Sequence, residues 1–298
     1  NLASGGYNNL GTLLRDLGRR PEAEAAFRQA LTLQEKLAAE LPAVPEYRNA
    51  LSATNNNLGN LLNDLWKRPE AEEQYRRALA IREKLVAEFP NVPHFRVDLG
   101  GIYCNFGILV RDGGQPGESL EWFEKAIRTL RAVYEQDRQS AVAKEFLRNS
   151  HQNRARSYDR LRKFIEAIAD WEKAIELSPM AEQTAYRVPR AISRLQADQV
   201  AEAVAEVAEL TKKVSADAGS WYDFARVYAI ASGKRAEKKQ EYADRAMELL
   251  QKAVKAGWSN AAHMAKDTDL GPIRGRDDFK NLIEQLAKNS PAKPETKP

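Results

Sequence analysis

A short motif recurs along this chain at a fixed spacing of 48 residues. Asn9-Leu10-Gly11 is repeated as Asn57-Leu58-Gly59, then as Asn105-Phe106-Gly107, and a fourth time as Asn153-Arg154-Ala155. Four copies in one register restrict the chain to folds in which the same supersecondary unit is stacked several times.

Small and aromatic residues alternate within each copy at spacings of three and four residues, which place them on one face of a helix. The small residue that ends the recurring motif lies on the first helix of each predicted hairpin. The second helix of the hairpin carries an aromatic residue with a small residue on either side of it along the sequence. We expect the small residues to let paired helices approach closely, and the aromatic residues to fill the space between hairpins. The aromatic positions are Phe27, Tyr75, Phe123 and Trp171, and the small residues three positions after them are Ala30, Ala78, Ala126 and Ala174.

This order of small, aromatic and small residues after Leu-Gly resembles the tetratricopeptide repeat, whose usual unit is about 34 residues. The Asn-Asn-Leu-Gly opening and the stretch from Ala78 to Lys84 look like the kinesin light chain subtype. The pattern is also similar to arrays that follow the kinase domain of some large bacterial serine/threonine protein kinases, although this stretch holds no kinase motif. The resemblance implies an all-α fold, a right-handed α-solenoid of about six antiparallel helix hairpins.

The unit of this chain is longer than the usual one by 14 residues, and we expect longer helices rather than a long loop. Each second helix continues through Glu35-Lys36-Leu37 or Glu83-Lys84-Leu85 until a pair of prolines, Pro42/Pro45 or Pro90/Pro93. Proline ends one helix and starts the next one well.

Four regions follow from the spacing. We predict four long repeats in residues 1–179 and two divergent repeats in 180–257. A helical capping element in 258–288 would cover the last hairpin, because a solenoid needs capped ends. Residues 289–298 are rich in Pro and Lys, and we expect them to be disordered.

Composition excludes several classes of protein. The 46 basic and 42 acidic residues are interspersed, and the net charge of +4 favours a solvated surface over nucleic-acid binding. No stretch is apolar for the 18 or so residues of a membrane span, and the start does not read as a signal peptide, so we expect a cytoplasmic protein. The resemblance to bacterial kinase arrays implies a bacterial one. Because the chain opens without Met just before a repeat motif, we also expect a longer parent protein.

Catalytic and metal-binding patterns are not evident. The three histidines, His94, His151 and His263, have no further ligand at the spacing that zinc sites use. Phosphate-binding glycine motifs are missing, and Cys104 is expected to fill space in a helix. The sequence therefore predicts a protein that is not an enzyme and has no metal and no cofactor.

The first helices of successive hairpins line the concave face in this architecture, and their polar residues define a predicted peptide-binding groove. Asparagine carries one acceptor and two donors on a flat amide, so a ladder of Asn9, Asn57, Asn105 and Asn153 can bond the backbone of an extended peptide. The resemblance to kinesin light chain arrays implies the same role, and neighbouring arginines would select acidic side chains or a terminal carboxylate. The predicted groove residues are Asn8, Asn9, Arg15, Asn56, Asn57, Asn60, Asn63, Asn105, Arg111, Asn153, Arg156 and Arg160.

The ladder also fits two roles that involve no peptide. Its asparagines could bond the adjacent hairpin and fix the superhelix, or they could be inherited from duplication without a function of their own. For the whole chain we expect a non-catalytic scaffold that binds a protein or peptide, as a recruitment or regulatory arm of a larger protein such as a bacterial serine/threonine kinase. The alternative is a structural module that self-associates without a peptide ligand.

Overall fold

The computed structural model describes residues 2–213 and 217–289 and contains helices and turns, with no strand among those residues. Contacts divide the chain into two units. The first comprises Asn1–Lys163 with Glu176–Ser178, and the second comprises Phe164–Ile175 with Pro179–Pro298. The predicted fold class, an all-α array of helix hairpins, is confirmed. The last residues of the predicted tail, 290–298, lie outside the described part of the chain.

The first unit contains three complete hairpins and the first helix of a fourth. In order, its helices are α1 (Leu2–Asp16), α2 (Arg20–Glu40), α3 (Pro45–Asp64), α4 (Arg68–Glu88), α5 (Pro93–Asp112), α6 (Pro116–Gln136) and α7 (Ala141–Arg160). Each helix packs against the next one, and consecutive first helices (α1, α3, α5 and α7) also contact each other. The prediction of longer helices is confirmed for α2 to α7, which each have 20 or 21 residues. It is wrong for the second helix of the fourth repeat, Phe164–Glu176, which has 13 residues.

Prolines mark the starts of these helices. Pro45 and Pro93 stand at the first positions of α3 and α5, where the missing N–H of proline would have had no helical acceptor. The turns within the hairpins need a residue with positive φ, which Gly18 and Gly114 provide easily. Trp66 takes the same position in the second hairpin with a φ of 61°, an uncommon conformation for a bulky residue.

The repeated glycines allow an aromatic ring to lie directly on the first helix. A Cβ added at Gly59 would come within 2.8 Å of the Tyr75 ring, and one at Gly107 would come within 2.8 Å of Phe123. The ring therefore packs on the glycine of its own hairpin, in addition to the predicted contact between hairpins. Tyr75 makes that second contact as well, since it meets Phe106 of the following hairpin edge to face at 6.0 Å between ring centroids.

The second unit begins with α8 (Phe164–Glu176, assigned to this unit through Ile175) and continues with two hairpins and a closing element. Its further helices are α9 (Thr184–Gln196), α10 (Val200–Lys213), α11 (Ala218–Lys234), α12 (Lys239–Lys255), α13 (Ala261–Lys266) and α14 (Asp277–Asn289). Short 3-10 turns occur at Met180–Glu182, Ala236–Lys238 and Thr268–Ile273. One apolar core runs from α9 to α14.

The closing element packs on the last hairpin. Leu270 and Ile273 are fully buried, and Phe279 is nearly so. Polar bonds fix the element to α11, since the Tyr222 hydroxyl donates to Asp267 at 2.7 Å and the Arg226 guanidinium pairs with Asp269 at 2.6 Å.

Candidate peptide-binding surface

The candidate surface lies on the polar sides of α1, α3, α5 and α7. The opposite sides of these helices are apolar, and in α3 Leu58, Leu61 and Leu62 are completely buried in the stack. Because the register is 48 residues, side chains that occupy equivalent positions in consecutive hairpins come side by side where the first helices touch.

Pairs of asparagines join neighbouring hairpins across these helices. Asn57 donates its Nδ2–H to Asn8 Oδ1 at 3.1 Å, and Asn105 donates in the same way to Asn56 Oδ1 at 3.0 Å. Thr54 adds a second bond to Asn8 Oδ1, also at 3.1 Å. The counterpart of Asn57 in the preceding hairpin is Asn9, yet Asn57 bonds to Asn8, one residue earlier. Asn105 likewise bonds to Asn56 and not to its counterpart Asn57. We call these two contacts, Asn8–Asn57 and Asn56–Asn105, the amide rungs.

The amide rungs use only half of the hydrogen-bonding capacity of their side chains. Asn57 and Asn105 each retain an acceptor Oδ1, and Asn8 and Asn56 each retain the N–H donors of Nδ2. Within the described residues these atoms have no partner, and none of them is among the buried unsatisfied atoms. All four residues are half-buried. Each rung therefore presents one donor side and one acceptor side.

The last of the predicted ladder residues, Asn153, has a different environment. It is buried, donates to the backbone oxygen of Asn149 at 2.8 Å, and accepts a bond from Arg111 Nη1 at 2.7 Å. Cys104 stands where Asn8 and Asn56 stand in the earlier hairpins, and a thiol offers no comparable acceptor. Cys104 and Asn153 consequently do not form a third amide rung.

Arg111 is committed to the protein itself and is not a free selector of acidic groups. Its side chain is 5% exposed, and its Nε donates to Asp112 Oδ1 at 2.9 Å. Arg160 contacts Asp112 Oδ1 at 3.0 Å and donates to the backbone oxygen of Arg111 at 2.9 Å, but half of its side chain stays exposed. Burial raises the pKa of Asp112, yet the bonds from Arg111 and Arg160 outweigh burial and hold that pKa below its ordinary value.

The remaining predicted groove residues differ in how accessible they are. Asn60 accepts the hydroxyl proton of Tyr75 at 2.6 Å, and Arg15 pairs with its neighbour Asp16 at 3.3 Å. Burial is the main reason that the pKa of Tyr75 is raised, so this hydroxyl stays a donor. Asn63 is half-buried, and the exposed members of the set are Asn9, Arg156 and Arg160.

The repeat spacing placed Asn57 and Asn105 at equivalent positions of consecutive first helices but did not reveal the residue that accepts the bond from each of them. The signal was present in the doubled Asn8-Asn9 and Asn56-Asn57, because the first asparagine of one pair accepts from the second asparagine of the next. No pattern in the sequence predicted that Thr54 would also donate to Asn8.

Clusters of metal-binding side chains do not occur in the described chain. Among residues 2–213 and 217–289, no three His, Cys, Asp or Glu side chains group together in a way that could bind a metal ion. In the same part of the chain no helix combines the length and the apolar character that a membrane span requires.

Comparison with known proteins identifies the repeats. Residues 6–38 and 53–91 match one tetratricopeptide repeat model, and residues 149–179 match another. Among solved structures, the apo form of RapI aligns with a TM-score of 0.59 at 13% identity, over 96% of this chain and 97% of that one. PilW, a type IV pilus biogenesis factor, aligns with a TM-score of 0.53 at 18% identity, over 85% of this chain and 99% of that one. No curated protein sequence gives a significant match.

Proposed function

We propose that this chain is a non-catalytic protein-interaction array that binds an extended peptide segment along the polar sides of α1, α3, α5 and α7. Tetratricopeptide repeats are found in the chain, and repeats of this kind support a protein-binding role. The observation that carries the proposal is the donor and acceptor left over on each amide rung. An extended peptide offers its own N–H and C=O groups, which are complementary to that pair.

The amide rungs serve two purposes in this proposal. One half of each amide holds the neighbouring hairpin, and the other half contacts the peptide. The bridging role of the ladder is therefore compatible with the binding role, and the first contact fixes the orientation of the side chain for the second. A preorganised amide loses less side-chain entropy when the peptide binds.

The biological setting is part of the same proposal. The resemblance to kinesin light chain repeats, and to arrays that follow bacterial serine/threonine kinase domains, favours a recruitment or regulatory arm of a larger cytoplasmic protein. The exposed Arg156 and Arg160 lie toward the α7 side of the surface and favour a peptide with an acidic side chain or a free carboxylate at that end.

The sharpest test uses Asn56→Asp, which keeps the Oδ1 acceptor for Asn105 but removes the free Nδ2 donor. Peptides selected from a random display library against the full chain would serve as ligands, and their Kd would be measured by fluorescence anisotropy. We expect Asn56→Asp and Asn8→Asp to weaken binding by about 5- to 30-fold, equivalent to about 1–2 kcal/mol for a lost hydrogen bond. Their thermal midpoints should stay close to that of the parent, because both amide rungs are kept.

Asn57→Ala and Asn105→Ala are the companion variants, and they remove a rung as well as the acceptor. They should weaken binding and also lower the free energy of unfolding by about 1 kcal/mol each. Repeating the measurements at high salt separates the added negative charge of the aspartates from the lost donor, because only the charge effect is screened. If the selected peptides bound both aspartate variants as tightly as the parent, the proposed surface would be wrong.

Self-association is retained as a second candidate function because α1 and the turn residue that follows it, Leu17, expose an apolar stripe. Leu10, Leu13 and Leu17 are 43%, 57% and 63% exposed, whereas the equivalent Leu58 and Leu61 of α3 are fully buried. In the second hairpin this face is covered by α2, which packs against α3. The stripe is thus equivalent to a surface that another hairpin covers elsewhere in the array. None of the described hairpins covers it on α1, and a second copy of the chain would provide the missing contact.

A further inference from the structure

A cavity of about 430 Å³ opens where α6 ends and α7 begins, beside the start of α5. Its walls are largely apolar. Val97 and Val133 are buried within it, and Val142 is 54% exposed at its edge. The volume lies within the usual range of small-ligand pockets. Residues 93–142 supply the whole lining, so the cavity belongs to the first unit alone.

Comparison with the preceding repeat shows which side chains are missing where α6 meets α7. The counterpart of Asp137 in the preceding hairpin is Phe89, and the counterpart of Ala143 is Phe95. Phe89 and Phe95 pack edge to face at 6.0 Å where α4 meets α5. The first hairpin has Leu41 at the same position. The junction of α6 and α7 therefore has a carboxylate and a methyl group where its predecessor has two aromatic rings.

Acidic groups stand at the mouth of this cavity. Asp98 forms an ion pair with the buried Arg82 at 3.0 Å. Asp137 accepts a bond from the backbone N–H of Gln139 at 2.9 Å, but no cation pairs with it among the residues that the structure describes. The apolar walls thus carry one uncompensated negative charge at their rim.

We propose that this cavity is a second binding site, which accepts an aromatic side chain of a partner peptide and places an adjacent Lys or Arg of that peptide next to Asp137. The aromatic ring takes the place that Phe89 fills in the preceding junction, and the cation supplies the charge that Asp137 lacks. Burial of the aromatic side chain removes a large apolar area from water, whereas an ion pair that stays exposed to solvent contributes little. The ring therefore provides most of the affinity, and the charge provides the preference for basic neighbours.

The site is tested by methyl NMR of the full chain with the probe peptide acetyl-Lys-Phe-Lys-amide. We expect concentration-dependent shifts of the Val97, Val133 and Val142 methyl groups. Acetyl-Lys-Ala-Lys-amide should bind at least about tenfold more weakly, because it cannot bury a ring. Acetyl-Glu-Phe-Glu-amide should also bind more weakly, and the difference should shrink at high salt. Equal shifts with the alanine peptide, or no shift of these methyls, would overturn the proposal.

Variants at position 137 make the assignment specific. Asp137→Phe restores the residue of the preceding hairpin, and we expect it to fill the cavity, raise the thermal midpoint and abolish the methyl shifts. Asp137→Leu, the residue of the first hairpin, serves the same purpose if phenylalanine overpacks the junction. Asp137→Asn should keep the phenylalanine peptide bound while removing the preference for basic over acidic neighbours. Leu41→Phe, the matched substitution in the first hairpin, should leave peptide binding unchanged. Unaltered binding by both filling variants would contradict the site.

A second copy of the chain is the competing occupant, because Trp66 is 75% exposed and is followed by Lys67 and Arg68. If the same methyl groups shifted on concentrating the protein without peptide, and Trp66→Ala removed those shifts, the assignment to a separate partner would fail. The test is independent of the proposed peptide surface, since Asn56→Asp leaves the cavity intact and Asp137→Phe leaves the amide rungs intact.

Discussion

At the residue scale, the asparagines show how one side chain can hold the scaffold together and still be available to a ligand. A primary amide has more hydrogen-bonding positions than one neighbour can fill, so bonding to the adjacent hairpin leaves part of it free. Arginine behaved differently at Arg111, because burial requires its charge to be compensated within the protein. Arg111 was therefore less accessible than its polarity suggested.

Gly107 offers a direct test of the close contact between paired helices. In Gly107→Ala the new Cβ would lie 2.8 Å from the Phe123 ring, which is fully buried and cannot move aside without disturbing the core. We expect a loss of about 1–3 kcal/mol in urea unfolding, because overpacking exceeds the gain in helix propensity. Gly117→Ala in α6 is the control, since a Cβ there would contact nothing within 4 Å. A Gly107→Ala variant as stable as the parent would contradict the described packing.

Cys104 should be unreactive in the folded protein. Burial raises the pKa of its thiol to about 11, although Ser150 and Arg111 oppose the shift, and the thiolate is the reactive form. Because this pKa lies above its ordinary value, the fraction of thiolate remains small until the pH approaches 11. We expect alkylation by iodoacetamide at about pH 8, below the ordinary pKa of a thiol, to be much slower in buffer than in concentrated urea, as followed by mass spectrometry. Comparable rates in the two solutions would mean that the thiol is exposed.

At the element scale, helix length and helix contacts have different origins. Proline positions define where α3 and α5 begin, because proline fixes φ and lacks an N–H. The packing of α9 against α10, in contrast, depends on charge as well as on apolar burial. Glu206 of α10 is 3% exposed and contacts three arginines of α9, namely Arg187, Arg190 and Arg194.

Replacing Glu206 should destabilise the second unit more than replacing an exposed charge does. Glu206→Gln leaves three guanidinium groups without their shared buried carboxylate, and we expect a loss of about 3–5 kcal/mol in the free energy of unfolding. Glu172→Gln removes an outer partner of Arg190 and Arg194 whose side chain is 44% exposed, and it should cost about 0–1 kcal/mol. Chemical denaturation followed by circular dichroism compares the two variants. Similar effects would show that the position of Glu206 in the cluster is unimportant.

At the scale of the whole molecule, the exposed apolar stripe defined above leads to a test of whether the chain is a monomer or self-associates. If a second copy covers Leu13 and Leu17, light scattering should give a molar mass that rises above 33.5 kDa with concentration. Leu13→Glu with Leu17→Glu should return the mass to that of one chain, because charged side chains oppose burial of the stripe. Leu33→Glu, a substitution of an exposed leucine on α2, is the control. A constant mass for the parent would remove self-association from consideration.

The sequence alone determined the repeat, the helix hairpins and the positions at which α3 and α5 begin. Gly59 with Tyr75, and Pro45 and Pro93 at helix starts, act through local sterics, so a fixed spacing is enough to predict their effect. The same spacing placed Asn57 and Asn105 at equivalent positions.

Tertiary structure decided which partners these amides take, and it placed Arg111 in the interior. It also opened a cavity beside Asp137. The amide partners, the burial of Arg111 and the cavity all depend on residues that are distant along the chain. The bond from Asn57 to Asn8, for example, joins residues that are 49 positions apart. Spacing specifies which face a residue occupies, whereas only the packed neighbours determine how much of its hydrogen-bonding capacity and charge is left for a ligand.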